Sequence, residues 1–332
     1  VNIAEVASAA GVSNATVSRA LSGRGSVSPR TRERVIAAAR DLGYVVSQAA
    51  STLASGRNRN VGVVLPFLDR WFFTQVLAGA QQQLMASGYD VTLYNLEGDG
   101  TERREVFETF LLRQRVDAVI TVSLELDEPE VSRLHALGKP IVGVGGPIPG
   151  IRTLQIDDDQ AARLATEHLI ALGHTSLAHI GGDEASDADF HLPIKRRRGF
   201  VSAAEAAGIT APRIVDADFT MAGGYRAAKQ LLGAPDRPTA LFAASDEMAF
   251  GAILAARDLG LEVPRDVSII GLDGHDMAEF FGLTTIAQYP RHQGATAVDL
   301  LMSELEDAPP PPAADIPYEL IVRDSTTRPR PT

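Results

Sequence analysis

From Val61 onward, short apolar runs alternate with amphipathic stretches of about 10–15 residues, and this alternation confines the chain to a narrow set of folds. The runs Val61–Leu65, Val91–Tyr94, Ala118–Val122, Ile141–Val144 and Leu177–Ile180 read as strands. Ala240–Ala243, Ser268–Gly271, Thr284–Ala287 and Glu319–Arg323 continue the series. Between them, Gln75–Ser87, Glu102–Arg113, Gln160–Leu172, Lys195–Ala207 and Glu247–Leu259 read as helices. Strands joined by crossover helices form parallel sheets covered on both faces. Two such units, roughly 61–160 and 161–290, form a crude duplication. Ligands in sheets of this kind bind beyond the carboxyl ends of the strands, so a cleft between two lobes is the place to expect a site.

The first 60 residues are different in kind. They hold eight arginines against Glu5, Glu33 and Asp41, a balance of +5 in a chain of net charge −11, so the remainder carries −16. A basic head on an acidic body points to a polyanionic partner for the head alone, although a merely basic surface has the same composition. Asn2 can cap a helix, with Glu5 completing a capping-box pair and Ile3, Val6, Ala7 and Ala10 at helical spacing. Gly11 breaks that helix, Val12 plugs the turn, and Ser13 caps a second helix with Val17 and Leu21 facing inward. A third begins at Ser28-Pro29, carries the stripe Val35, Ile36, Ala39 and Leu42, and stops at Gly43.

Two short helices around a glycine turn fit the helix-turn-helix plan. The second would place Asn14 and Ala15 at base edges in the major groove, with Arg19 a turn further on. Asparagine suits adenine, arginine suits guanine, and an alanine methyl can touch the thymine methyl. Ser13, Thr16 and Ser18 fall beside them, with Thr16 and Ser18 suited to phosphates. A three-helix protein-binding module would share the pattern. Residues 47–60 contain one large apolar side chain, Leu53. Ser47 to Ser55 is too short to form a stable isolated helix in water. A linker that orders on a ligand, with Leu53 as a minor-groove wedge, fits this composition, as does a flexible tether with an incidental leucine.

The strings Ile3-Ala4-Glu5-Val6-Ala7, Ala10-Gly11-Val12-Ser13, Thr16-Val17-Ser18-Arg19 and Val27-Ser28 through Arg32 to Leu42-Gly43-Tyr44 resemble the headpiece of the lac-repressor (LacI/GalR) family. The likeness extends over essentially the whole chain. It includes Phe72-Phe73, Glu167-His168-Leu169, Leu172-Gly173-His174, Arg196 with Gly199-Phe200, Asp246 with Met248-Ala249, Gly271-Leu272-Asp273 and Leu283 to Ile286. The resemblance implies a small all-α helix-turn-helix headpiece (1–46), a hinge helix and linker (47–60) and a two-lobed periplasmic-binding-protein-like α/β core (61–332). Lobe one would span about 61–160 plus 291–317, and lobe two about 161–290 plus 318–332. It further implies a homodimer on a near-palindromic double-stranded operator. Ala50 and Leu53 of the hinge helix would then lie at its centre.

The same resemblance implies an effector pocket, for a small sugar, built from Phe72 and Phe73 of one lobe. Arg196, Phe219, Ser245, Asp273 and Gln288 would come from the other lobe and the crossovers. Charge-assisted hydrogen bonds suit sugar hydroxyls, and aromatic faces suit a pyranose, although a buried Arg196 and Asp273 could also satisfy each other. Trp71 stands where the family usually has proline and adds an aromatic at the mouth. Ser245 replaces a usual asparagine or threonine, and Gly145-Gly146 follow a strand where many members carry aspartate. The segment Gly181–Arg196 is longer than usual, with Asp187, Asp189 and His191.

Other classes fit less well. The chain has no Walker-type loop and no G-x-S-x-G, and Gly143–Gly150 carries Pro147 and Pro149 where a dinucleotide turn would open a helix. His174 and His179 lie five apart at a strand entry and read as structural, not as a metal pair. No catalytic constellation and no cofactor are expected. Without cysteine there is no disulfide framework or thiolate metal site. The start Val1-Asn2-Ile3-Ala4-Glu5 does not read as a signal peptide and no apolar run reaches about 18 residues, so a cytoplasmic protein without a membrane span is expected. A sugar-binding transport component remains the alternative of another class, and a corepressor-dependent repressor or an activator the alternatives within the family. Pro309–Pro312 and the segment after it show no leucine heptads, against a C-terminal tetramerising coiled coil.

Overall fold

The computed structural model describes residues 1–22, 26–44, 56–96, 100–113, 115–182, 192–309 and 316–330. The chain divides into two compact units, Val1–Arg59 and Asn60–Thr332.

In the first unit, α1 (Ile3–Ala10) starts where the Asn2 side chain accepts the N–H groups of Ala4 and Glu5 at 2.9 and 3.1 Å. Gly11, at φ 61°, turns the chain out of that helix. Ser13 Oγ accepts the Thr16 N–H and opens α2 (Asn14–Ser22), and Ser28 Oγ does the same for Thr31 at the start of α3 (Pro29–Asp41). The caps satisfy N–H groups that have no partner within the helix. Val6, Ala7, Ala10, Val17, Ala20, Val35 and Ala39 form the core. Two members of the expected α3 stripe lie elsewhere: Ile36 is 49% and Leu42 37% exposed. With 3.6 residues per turn, Val35 and Ala39 share one face while Ile36 is rotated about 100° from it. The two-helix hairpin covers only that face.

The second unit contains two sheets. The first is built from β1 (Asn60–Leu65), β2 (Asp90–Asn95), β3 (Ala118–Val122), β4 (Ile141–Val144) and β5 (Arg152–Leu154), in the order β2-β1-β3-β4-β5. All its pairings are parallel. The second is built from β6 (Leu177–Gly182), β7 (Arg213–Ala217), β8 (Ala240–Ala243), β9 (Ser268–Asp273), β10 (Thr284–Ala287) and β11 (Glu319–Ile321). Its order is β11-β10-β9-β8-β6-β7, parallel except for the antiparallel β10–β11 pair. Nine of these eleven strands coincide with the apolar runs. The other two, β5 and β7, carry Arg152, Arg213 and Asp216 and are edge strands, where one side of the ladder faces away from the core and polar residues are tolerated.

Along the chain the helices are α4 (Trp71–Ala86), α5 (Thr101–Glu105), α6 (Glu128–Ala136), α7 (Asp158–Ala171), α8 (Leu192–Ala206), α9 (Met221–Leu232), α10 (Asp246–Asp258) and α11 (Pro290–Leu305). The helix expected over Glu102–Arg113 is α-helical only to Glu105. It continues as a π turn (Val106–Phe110) and a 3₁₀ turn (Leu111–Arg113). The chain crosses between the sheets after β5, after β10 and before β11. After the second crossing α11 packs on α4 of the first sheet. A Cβ at Gly79 would lie 1.9 Å from the Arg291 carbonyl oxygen, and one at Gly294 would lie 2.0 Å from that of Val76. Bare backbone on both helices is what permits this approach.

His174, before β6, and His179, within it, occupy separate surroundings. His174 Nε2 lies 2.8 Å from the Thr327 carbonyl and 3.1 Å from Ser268 Oγ, tying the C-terminal segment to the second sheet. His179 is stacked against both Phe200 and Phe242, and burial pushes it down to about 3.

Candidate ligand cleft and headpiece face

The expected hinge, with Ala50 and Leu53, lies outside the described residues, as do Asp187, Asp189 and His191. On α2, Ser13, Asn14, Ala15, Ser18 and Arg19 are exposed, Thr16 is half-buried, and Val17 and Ala20 are buried. The helix thus turns one polar face outward, and the Arg19 Nε–H donates back to the Ala15 carbonyl at 3.2 Å.

In the second unit the strand ends converge on one cavity of about 620 Å³, counting its mouth. Phe67, Arg70, Phe72 and Phe73 follow β1; Ser123 follows β3; Gly145 follows β4. Opposite them, Arg196 comes from α8, Phe219 follows β7, Ser245 caps α10, Asp273 ends β9 and Gln288 follows β10. Of the expected pocket residues, all but Trp71 line this cavity. Trp71 lines a neighbouring one instead, its indole stacked on His275 at 4.6 Å with Nε1 donating to Asp276 at 3.2 Å.

Three non-glycine lining residues have positive φ: Ser123 at 43°, Phe219 at 57° and Asp273 at 147°. Such strain persists only where surrounding structure holds it, and it collects at ligand sites. Gly182 supplies part of that surrounding structure, since a Cβ there would lie 2.1 Å from the Phe219 ring. Gly145, at φ 100°, likewise lies so close to Ser123 that a Cβ would fall 2.1 Å from the hydroxyl oxygen. No side chain fits at 145 while Ser123 keeps its place.

Arg196 is 3% exposed. Its Nε and Nη2 each lie 2.9 Å from Asp158 Oδ1, Nη1 donates to the Ala244 carbonyl, and Asp273 stands 3.9 Å away. Its structural partner is thus Asp158, which the sequence pattern alone does not single out from Asp157 and Asp159. A signal exists nonetheless, because Asp158 shares a helical face with the buried Ala161, Ala162, Ala165 and Leu169. Asp273 Oδ1 accepts from the Gln288 amide at 2.7 Å, and Gln293 in turn donates to the Gln288 carbonyl at 2.7 Å. Burial raises Asp273 well above the usual carboxylate range, against the pull of Arg196. Beneath it, burial pushes Asp246 up to about 6, although Thr285 and the His275 N–H donate to it.

Two further residues join the lobes. The Arg70 guanidinium lies over the Phe67 ring and donates to the Asp218 carbonyl at 2.6 Å. The Glu247 carboxylate accepts the Trp71 N–H, capping α4 from the opposite side of the cleft, while burial raises its pKa. The arrangement combines aromatic walls with a fixed set of donors and acceptors. Among the described residues no cluster of histidine and carboxylate groups could hold a metal ion. Among them too, no helix is long and apolar enough to cross a membrane.

Two family models match the chain: bacterial regulatory proteins of the lacI family over residues 2–47, and a periplasmic binding protein-like domain over residues 166–326. The HTH-type transcriptional repressor PurR of Photobacterium profundum is 32% identical, covering 92% of both chains. A lac repressor dimer bound to operator and the anti-inducer ONPF is similar in structure, with a TM-score of 0.84 at 29% identity, covering 98% of this chain and 99% of that one. A complex of the transcriptional regulator CelR with cellobiose has a TM-score of 0.71 at 31% identity, with the same coverage.

Proposed function

The chain belongs to the LacI family of bacterial regulatory proteins, DNA-binding transcriptional repressors with a ligand-binding core that act as dimers on operator DNA, and we propose that this member is released from its operator by a small sugar. It would act in the cytoplasm on carbohydrate-utilisation genes. One observation carries the choice of ligand: the cavity at the strand ends pairs the rings of Phe72, Phe73 and Phe219 with Arg196, Asp273 and Gln288. Aromatic faces take the C–H side of a pyranose, while buried charged and amide groups take its hydroxyls. The likeness to a regulator complexed with cellobiose supports the same class.

The cleft reads as a binding site and not as a catalytic one. Asp158 is engaged by Arg196, Asp273 by Gln288, and Glu247 by the start of α4, which leaves no free acid and base pair across the cavity among the described residues. In the proposed mechanism Ser13 to Arg19 present Asn14 and Ala15 to base edges, with Thr16 and Ser18 on phosphates. Residues 47–60 form the hinge, and Leu53 and its mate unstack the central base step, with Ala50 alongside. Ligand binding changes the relation of the lobes and thereby the order of the hinge. A coupling of about 1–3 kcal/mol changes operator affinity roughly 5–150-fold.

The test is to mix the purified protein with its own fragmented genome, recover the bound DNA at near-physiological salt, and repeat with a panel of sugars. Enrichment of a near-palindromic site beside transport or glycoside-processing genes, lost with one sugar, is the expected result. Enrichment that no sugar relieves would overturn the sugar-released reading. For the hinge, Leu53→Ala should weaken specific binding far more than nonspecific binding, and equal losses would remove the wedge.

A further inference from the structure

The ligand cavity has a neighbour of about 840 Å³, counting its opening, lined by Trp71, Gln75, Asp276, Tyr289, Arg291 and His292 among others. At three places consecutive residues fall on opposite sides of the boundary between the two. Arg70, Asp273 and Gln288 line the inner cavity, whereas Trp71, Gly274 and Tyr289 line the outer one. The backbone turns sharply at this seam, with positive φ at Asp273, Gly274 and Tyr289. The wall is one residue thick at each of these points. At Gly274 it is bare backbone against Ala287, since a Cβ there would lie 2.7 Å from the Ala287 Cβ. Of the side chains at the seam, the Trp71 indole is the largest, with Arg70 and Tyr289 beside it.

We propose that Trp71 is the partition that sets how long a ligand the cleft accepts. This rests on the carbohydrate reading given above. Trp71 begins a helix of the first sheet, yet its ring is held from the second: Asp276 takes its Nε1–H and His275 lies against its face. The Glu247 carboxylate, also of the second, takes its backbone N–H. His275 is itself held, its Nδ1 accepting the Met277 N–H at 2.9 Å and its ring meeting the edge of Phe250. With the indole seated there, a ligand in the inner cavity ends at the wall. Beyond the wall lie an aromatic ring, Tyr289, and the polar groups of Gln75, Asp276, Arg291 and His292, a combination that suits a further sugar ring once the partition is gone.

The test is calorimetric titration of the full chain, as wild type, Trp71→Ala and Trp71→Phe, with methyl glycosides, disaccharides and trisaccharides of glucose, galactose and mannose. The quantity read is the ratio of affinities for longer and shorter members of one series, because loosening of the cleft weakens all members alike. Wild type should lose at least tenfold at one step of the series. Trp71→Ala should move that step at least one ring further out, and Trp71→Phe, which keeps a ring at the seam, should leave it in place. Identical length profiles for wild type and Trp71→Ala would overturn the partition while leaving the sugar site standing. Failure of every series to bind any of the three proteins would remove the carbohydrate reading and the partition together.

Discussion

Arg196 stands 3.9 Å from Asp273 but directs two hydrogen bonds to Asp158, at 2.9 Å, and another to the Ala244 carbonyl. The cleft therefore holds a buried pair that is internally neutralised and, at Asp273, a carboxylate whose nearest cation is already engaged. Removing either member of the pair would leave a buried charge without its partner, which costs about 3–5 kcal/mol. Arg196→Ala is thus a stability variant as much as a binding one.

Asp273→Asn is the cleaner probe. It keeps the volume and a carbonyl oxygen for the Gln288 amide while removing the ionisable carboxyl. Effector affinity should fall about tenfold or more, equivalent to at least ~1.4 kcal/mol, with operator affinity in the absence of effector unchanged. A calorimetric titration matching wild type would take Asp273 out of the ligand's contacts.

The α4–α11 contact is predicted to be intolerant of a single methyl. A Cβ at Gly79 meets the Arg291 carbonyl, which is backbone and has little freedom to move. Gly79→Ala should lower the unfolding free energy by about 1–3 kcal/mol, the usual range for overpacking, despite the better helix propensity of alanine. Denaturant titration of both proteins decides it, and a change below about 0.5 kcal/mol would show that the helices slide apart freely.

Acid should loosen the C-terminal segment. Burial holds His174 below its ordinary value of 6.5, and holds His168 below it as well, with His174 adding to the effect on His168. The unfolded chain then binds more protons than the folded one as pH drops below 6.5. The stability these groups contribute is complete above 6.5 and is lost as pH falls through their lowered folded values. Between pH 7.5 and 5.5 the denaturant midpoint of wild type should fall further than that of His174→Gln. Equal falls would mean that His174 does not titrate differently on folding.

For the headpiece, Asn14→Ala should change the preferred operator sequence in a selection from random DNA, since an exposed amide at the start of α2 can read a base edge. Arg30→Ala should leave the preferred sequence alone and reduce the salt dependence of binding by about one counterion. An unaltered selected site after Asn14→Ala would move base reading to other side chains.

Most of the strand frame is readable from apolar runs because buried parallel strands tolerate little else, as Ala118–Val122 and Ala240–Ala243 illustrate. Phe72, Phe73, Arg196, Phe219, Ser245, Asp273 and Gln288 stand at or near strand ends and helix starts, where the family likeness places them. The residues that escape are those whose roles depend on distant partners. Glu247 is one of several acids on helix surfaces until α4 brings the Trp71 N–H to it. The helix α9 is disguised by Gly223-Gly224, residues of low helix propensity that serve its contact with α10: a Cβ at Gly224 would lie 2.3 Å from the Met248 carbonyl. Ile36 shows the reverse error, a side chain apolar enough for a core in a domain too small to cover it.

The order of the crossings bears on how the molecule is made. The helix that covers one face of the first sheet, α11, leaves the ribosome some two hundred residues after α4. At a synthesis rate of roughly 5–20 residues per second, α4 waits about 10–40 s for it. During that interval the surface around Val76, Gly79 and Ala80 has no native cover, and the second sheet, apart from its edge strand β11, is translated in the meantime. The first lobe of the nascent chain is therefore a natural client for a holding chaperone, and a stalled chain ending before Leu305 should be recognised as unfinished.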